Sequence, residues 1–278
     1  MDKLISVIIP VYNEQDSLKG CLESLSKQSY KPVEVIVIDD GSTDKSLEIV
    51  KKSKAILLKQ SHGGPGVARN LGAQNARGSI LVFVDADMVF EKNFIKDLTE
   101  PIAKRETIGT FSKNEYVINH NNPWSVCWNM NRNCPPEKMI PESYPETAPV
   151  FRAILKSEFQ KVGGFETTGD YTDDWSLSLK LNLKSTLAKG AKYYHKNPST
   201  LKEIWKQARW IGKNKFITGN IPRKLKSIIL YNPMASIFIA VLKSFTHANP
   251  RFVIFKLVYD FAVICSVLES TVNKNKYK

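Results

Sequence analysis

No part of the 278-residue chain offers the uninterrupted apolar run of about 20 residues that a bilayer core requires. The nearest approach, Phe252 to Leu268, is broken by Lys256 and Asp260. The four cysteines, Cys21, Cys127, Cys134 and Cys265, include no Cys-x-x-Cys pair. That excludes zinc-finger spacing and predicts free thiols in a reducing compartment, with nothing that requires a Cys127–Cys134 bridge. The opening residues hold too short an apolar stretch for a signal peptide and run straight into a strand pattern, so the expected location is cytoplasmic. Internal repeats and low-complexity tracts are missing, which excludes solenoids and linker-like arrays. Acidic residues are scarce in one place only. Residues 201–278 hold 14 Lys and Arg against 3 Asp and Glu, whereas the first 200 hold 26 against 24. Of the net charge of +13, +11 therefore belongs to the C-terminal part, which points to two parts with separate tasks, one of them contact with an anionic surface.

What is present begins with apolar runs that stop on carboxylates. Ile80 to Val84 is short, β-branched and aromatic, the composition of a strand buried on both faces of a parallel sheet, and it ends on Asp85-Ala86-Asp87. Leu4 to Ile9 predicts a first strand ended by Pro10; Asn13 to Asp16 open a helix carrying Leu18, Leu22 and Leu25. Val33 to Ile38 is a second strand, ending on Asp39-Asp40-Gly41-Ser42-Thr43-Asp44 ahead of a helix over Lys45–Lys52. Ala55 to Leu58 reads as a third strand, and Gly63-Gly64-Pro65-Gly66 as a loop before a helix with Ala68, Leu71 and Ala76. Alternating strands and helices predict an α/β fold with a doubly wound parallel sheet, whose ligands bind at the carboxyl ends of the strands. Two carboxylates one residue apart at such an end can hold a divalent cation, which can neutralise a diphosphate. Prolines at 123, 135, 136, 141, 145 and 149 break any long helix in residues 105–150, read here as a substrate-facing excursion. A helix follows Tyr171-Thr172-Asp173-Asp174-Trp175, and Ala191 to His195 is a further short strand.

Four blocks together, Ser6-Val7-Ile8-Ile9-Pro10-Val11-Tyr12-Asn13-Glu14, Val37-Ile38-Asp39-Asp40-Gly41-Ser42-Thr43-Asp44, Ala68-Arg69-Asn70-Leu71-Gly72 and Asp85-Ala86-Asp87, resemble a family-2 glycosyltransferase over about residues 4–210. The resemblance implies a GT-A (Rossmann-like) fold, a mixed, mainly parallel sheet flanked by helices, and a nucleotide-sugar donor. It also implies Mg²⁺ or Mn²⁺ and inversion at the anomeric carbon. On it, Pro10, Tyr12 and Glu14 line the nucleotide pocket, and Asp39 or Asp40 accepts from the base or holds the ribose. Gly66 lets backbone approach the donor, and Arg69 offsets phosphate charge. Asp87, supported by Asp85 and with His195 as a late ligand, holds the metal; Asp174 is the base on the acceptor side, oriented by Asp173. Helix capping by Asp39 and Asp40, dipole complementation by Asp173 and Asp174, and ordinary packing of His195 are the alternatives. His62, His120 and His247 match no motif. Gln207-Ala208-Arg209-Trp210 is one residue short of the Gln-x-x-Arg-Trp motif of processive synthases, with Lys206 at the matching position, which argues against processivity; Arg209 remains a candidate for contact with the donor diphosphate or the acceptor.

These readings place a catalytic domain at residues 1–220, with a nucleotide-sugar half to about 104 and an acceptor half over 105–220, and a basic, apolar helical region at 221–278. The i,i+4 pair Lys256 and Asp260 argues for amphipathic helices on the cytoplasmic leaflet of the cell membrane rather than a span. A packed helical cap and a homo-oligomer interface are the other readings. Apolar runs between the basic residues suit an anionic membrane surface better than nucleic acid, which is not an expected partner. The expected acceptor is a glycan hydroxyl or a lipid-linked phosphate, and the competing functional class is a catalytically idle nucleotide-sugar-binding module.

Overall fold

The computed structural model describes residues 3–167, 173–212 and 221–272, without the side chains of 173, 174, 221, 223, 224, 227, 228 and 270–272. In chain order, β1 (Ile5–Val11), α1 (Leu18–Ser26), β2 (Val33–Asp39), α2 (Ser46–Lys51), β3 (Ile56–Lys59), α3 (Pro65–Asn75) and β4 (Ile80–Phe83) alternate as the apolar periodicity predicts. They are followed by β5 (Met88–Phe90), α4 (Phe94–Ala103), β6 (Gly109–Phe111), β7 (Asn114–Val117), α5 (Pro123–Asn131), β8 (Thr147–Ala148), β9 (Ala153–Leu155), α6 (Lys156–Lys161), α7 (Asp173–Leu181), β10 (Ser185–Leu187) and β11 (Lys192–His195). The remaining helices are α8 (Leu201–Gly212), α9 (Ile221–Leu230), α10 (Pro233–Thr246) and α11 (Arg251–Val272).

Two compact units result. The first takes the chain up to Tyr116, the stretch that begins at Glu142, and Asp173–His195; the second takes Val117–Pro141 and the chain from Lys196 onward. The contacts therefore divide the chain elsewhere than at residue 220. The physical reason is α8: its Ile204 and Ala208 pack with Phe255 and Val263 of α11 in one cluster. A Cβ on Gly212 would lie 2.9 Å from the Val263 carbonyl, so the two helices meet at a spacing only glycine permits.

In the first unit the larger sheet runs β3-β2-β1-β4-β9-β6-β10-β8 and a smaller one runs β5-β11-β7. Strands β3, β2, β1 and β4 are mutually parallel, with Ile5 opposite Val33 and Ile80, while β9 enters antiparallel between β4 and β6. The central strands are buried on both faces. Ile5, Val7 and Ile9 of β1 pack with Leu18, Leu22 and Leu25 of α1 and with Phe94 and Leu98 of α4. Ile8 points the other way, with Ile38, Ala68 and Phe83. Each such Ile, Val or Leu contributes about 1.5–3 kcal/mol relative to exposure. A Cβ on Gly72 would come within 2.6 Å of Ile8, which fixes glycine where α3 crosses β1.

The proline-rich excursion proves partly regular: β6 and β7 fall inside it, and Pro123 opens a helix rather than breaking one. Its Asn122 caps α5 by accepting from the Trp124 and Ser125 amides, and a proline in the first turn has no amide that needs a partner. All four cysteines are free. Among the described residues no helix is long and apolar enough to cross a membrane. The Lys256–Asp260 pair, read from the sequence as an interruption of the apolar run, is buried inside the second unit, 2.8 Å apart, with Ser236 donating to Asp260 at 2.6 Å.

Candidate active site

The carboxyl ends of β1 and β2 are laced to one another. The Asn13 amide donates to Ser42 and the Glu14 amide to Ser46, while Asn13 in turn accepts from the Thr43 amide at 2.8 Å. Polar residues cluster here because the turns after two parallel strands must satisfy each other's backbone groups. Pro10 is half-buried at the end of β1. Glu14 accepts from the Ser17 hydroxyl at 2.6 Å. Tyr12, 45% exposed, lies flat on the His62 ring with centroids 4.0 Å apart. His62, which matched no motif, is thus part of this rim.

The two adjacent aspartates divide their work. Asp40 is buried and accepts from the Gly63 and Gly64 amides at 2.7 and 2.9 Å and from Gln60 at 2.7 Å, so both its oxygens tie down the loop that leads into α3. The Asp39 carboxylate, equally buried, accepts among the described residues only from the Ser42 amide, at 3.2 Å. Gly66 is buried in the first turn of α3.

Beyond β4 the carboxylates separate again. Asp85 accepts from Arg69 of α3 at 2.7 Å and from Arg152 at 3.1 Å. Burial works to raise its pKa, but Arg152 and Arg69 outweigh that and hold it well below the usual carboxylate range. Arg152 owes its position to the backbone: its carbonyl accepts from the Phe83 amide and its own amide donates to Thr110, which sets it between β4 and β6 just ahead of β9. Two guanidinium groups thus converge on one carboxylate.

Asp87 belongs to a second chain of contacts. The antiparallel pairing of β11 with β5 sets His195 opposite Met88, and His195 Nε2 lies 2.7 Å from Asp87 Oδ2. Nδ1 lies 3.0 Å from Glu115 of β7, whose other oxygen accepts from the Tyr193 hydroxyl at 3.1 Å. The order β5-β11-β7 thus strings Asp87, His195, Glu115 and Tyr193 into one line. Burial works to lower the His195 pKa, but Asp87 and Glu115 raise it well above the ordinary histidine value; burial likewise works to raise Glu115, and His195 lowers it. Asp87 Oδ1 is buried with no hydrogen-bond partner among the described residues.

The three residues expected to share a cation are therefore split: Asp87 pairs with His195, while Asp85 faces the arginines. Among the described residues no three Asp, Glu, His or Cys side chains stand ready as a metal cage. An orphaned carboxylate oxygen beside an imidazole nevertheless fits a hard divalent cation, because such ions are commonly held by one or two protein ligands and completed by substrate phosphates and water. The side chains of Asp173 and Asp174, at the start of α7, lie outside the described residues. Arg209 belongs to the second unit, where it pairs with Glu269 of α11. The sequence reading did not single out Glu115 or Arg152. Glu115 sits in Asn114-Glu115-Tyr116-Val117, which shows no alternation of polar and apolar residues although the structure buries Glu115 and Val117 in turn; Arg152 is a lone cation entering an apolar run.

With this geometry in view, the comparisons with known proteins have a specific bearing. GlyA of Streptococcus pneumoniae serotype 4, a glycosyltransferase, is 38% identical over 109 residues, which are 37% of this chain and 16% of that protein. YibD of Escherichia coli K12, an uncharacterized glycosyltransferase, is 47% identical over 88 residues, 30% of this chain and 26% of YibD. The matched segments thus span well under half of either relative. Among solved structures, residues 1–349 of Staphylococcus aureus TarS in complex with UDP-GlcNAc align with a TM-score of 0.56 and 20% identity, covering 99% of this chain and 93% of that one. The mannosyltransferase PcManGT of Pyrobaculum calidifontis, in complex with GDP-Man and Mn²⁺, aligns with a TM-score of 0.59 and 17% identity over 97% and 88%. At such identities the likeness concerns the fold, and it agrees with the expected mixed α/β GT-A architecture. The family model described as Glycosyl transferase family 2 matches residues 6–163, more than half of the sequence and every strand end that builds this site up to Arg152, and the chain belongs to that family.

Proposed function

We propose that the protein transfers a sugar from a nucleoside-diphosphate sugar, of the UDP-sugar or GDP-mannose type, to an acceptor hydroxyl or lipid phosphate, with inversion at the anomeric carbon. The observation that carries this reading is the buried Asp87 oxygen, without a hydrogen-bond partner among the described residues, beside His195 and next to an arginine-rich cluster, in a chain of this family. UDP-GlcNAc bound to TarS and GDP-Man with Mn²⁺ bound to PcManGT support the donor class.

Each residue then has a task its chemistry suits. The Tyr12 and His62 rings offer a flat aromatic surface to the base, and the Asp39 carboxylate, which accepts one hydrogen bond among the described residues, is freer to accept from base or ribose than that of Asp40. Asp87 and His195 hold Mg²⁺ or Mn²⁺, which when bound neutralises charge on the departing nucleoside diphosphate. Arg69 and Arg152, whose guanidinium groups converge beside Asp85, bring positive charge to the same diphosphate. Asp174, oriented by Asp173, takes the proton from the acceptor, so that a single displacement gives inversion without a covalent intermediate. The natural acceptor on this reading is a surface glycan or a lipid-linked carrier.

The direct test is release of nucleoside diphosphate from UDP- and GDP-sugars by the intact chain with Mg²⁺ or Mn²⁺, with and without glycan and lipid-phosphate acceptors. Acceptor-stimulated release that stops on chelation is the expected result. Donor binding without turnover under every acceptor class would instead assign the chain to idle nucleotide-sugar-binding modules.

A further inference from the structure

Helix α10 is built inside out. A surface helix normally turns its large apolar residues to the protein and its polar ones to water. Here the residues buried against the rest of the second unit are Ser236 and Ala240, one turn apart, and the Ser236 hydroxyl donates to the buried Asp260 of α11. The large side chains point outward. Met234, Ile237, Phe238, Val241, Leu242 and Phe245 recur at helical spacing along one face, and Met234, Phe238 and Phe245 are 83%, 71% and 88% exposed. Neighbouring α9 leaves Leu225 and Ile229 exposed, and α11 exposes Ile254 and Phe261.

Two features decide what covers this face. The first is that it offers nothing to hydrogen-bond. Every polar side chain of α10 is already engaged within the unit: Lys243 donates to the Met130 carbonyl and to Asn133, Ser244 to the Asn249 carbonyl, and Thr246 to the Lys243 carbonyl. A protein partner ordinarily finds a hydrogen bond for every 100–200 Å² or so of contact, whereas lipid acyl chains require none. The second is charge. The 56 residues between Glu203 and Asp260 contain ten Lys and Arg and no Asp or Glu, and Lys226 of α9 and Arg251 at the start of α11 are exposed. An apolar stripe flanked only by cations is complementary to an anionic leaflet, with the side chains entering the acyl boundary and the cations remaining among the headgroups.

We propose that the α10 face docks the protein on the surface of an anionic lipid bilayer, lying in the interface without crossing it. The inference is independent of the reading of the active site, and it assigns the membrane contact to a defined face. The test uses the intact chain in flotation with vesicles of phosphatidylcholine alone and with about 30 mol% phosphatidylglycerol, at about 0.1 M and 0.5 M salt. The protein should float with anionic vesicles, less so at high salt, and weakly with neutral ones. The triple variant Met234→Ser, Phe238→Ser, Phe245→Ser should lose at least about tenfold in partitioning, because three exposed apolar side chains leave the interface. Phe245→Leu, which keeps the face apolar, should bind nearly as well. Circular dichroism of both variants should match the parent, since the replaced side chains make little contact within the unit. Failure of the folded parent to bind either vesicle overturns the proposal, as does full binding by the triple variant. Self-association of the parent that the triple variant abolishes, without vesicle binding, would make the face an interface between copies and also overturn it.

Discussion

The two units handle charge and apolar surface in opposite ways. In the first, large apolar side chains go inside, and although charges such as Glu34 and Asp40 are buried too, Asp85 and Asp87 beyond the carboxyl end of β4 are each matched by a cation or imidazole yet remain about one-third exposed. In the second, Lys256 and Asp260 are buried in the helical cluster while Phe238 and Phe245 stand in water. A charged group at the mouth of a sheet is available to a ligand. One inside a helical unit does the opposite work: it occupies the interior and leaves the surface to apolar residues. The sugar-transfer chemistry and the membrane docking proposed above thus rest on separate residues, and a substitution in one unit should spare the other.

The largest expected effect is on chemistry in the first unit. Asp87→Asn should lower turnover about 10²–10³-fold with folding intact, as judged by circular dichroism and steady-state kinetics, because it removes the anionic oxygen offered to the cation. Next is a stability effect in the second unit. Lys256→Ala leaves Asp260 buried without its partner and should cost about 3–5 kcal/mol in urea unfolding, whereas Lys256→Met with Asp260→Leu should recover most of it. A double variant as unstable as the single one would show that the pair contributes more than mutual compensation. Smaller again, Arg152→Gln should weaken donor binding about tenfold by calorimetry, and Arg152→Lys should restore it only in part, since an ammonium lacks the planar fork of the guanidinium.

The smallest effect is a pH dependence far from the chemistry. Burial works to raise the Glu34 pKa, but the Ser6 hydroxyl, the Arg77 amide and guanidinium and the Gly78 amide lower it below its ordinary 4.5. The unfolded chain therefore takes up this proton first as acid is added. The advantage of the parent over Glu34→Gln should be constant above about pH 5 and shrink as pH falls, measured by unfolding at a series of pH values.

How much of this was legible beforehand follows from what each residue depends on. The ends of β1, β2 and β4 can be read because an apolar run stops on polar residues within one short segment, and the burial that makes the run apolar is also what makes the stop abrupt. Glu115 and Arg152 cannot be read this way. Glu115 meets His195 only because β11 lies between β5 and β7, and Arg152 meets Asp85 only because β9 inserts antiparallel next to β4; strand order of that kind leaves no mark on neighbouring residues. Pro123 illustrates a different obstacle, since proline ends a helix or begins one according to the residue before it, and Asn122 decides for a beginning. Lys256 and Asp260 at i,i+4 look the same in sequence whether they face water or each other in a core. Only the small residues at 236 and 240, which let α10 approach α11, settle which.

Whether the first unit holds a nucleoside-diphosphate sugar with the help of a metal is decided by titration calorimetry of UDP-GlcNAc and GDP-Man into the intact chain, with Mn²⁺ and with a chelator. A metal held by Asp87 gives saturable binding of at least one donor with Mn²⁺, much weaker binding under chelation, and a loss of the difference in Asp87→Asn. Donor binding that is identical with metal, with chelator and in Asp87→Asn would contradict it.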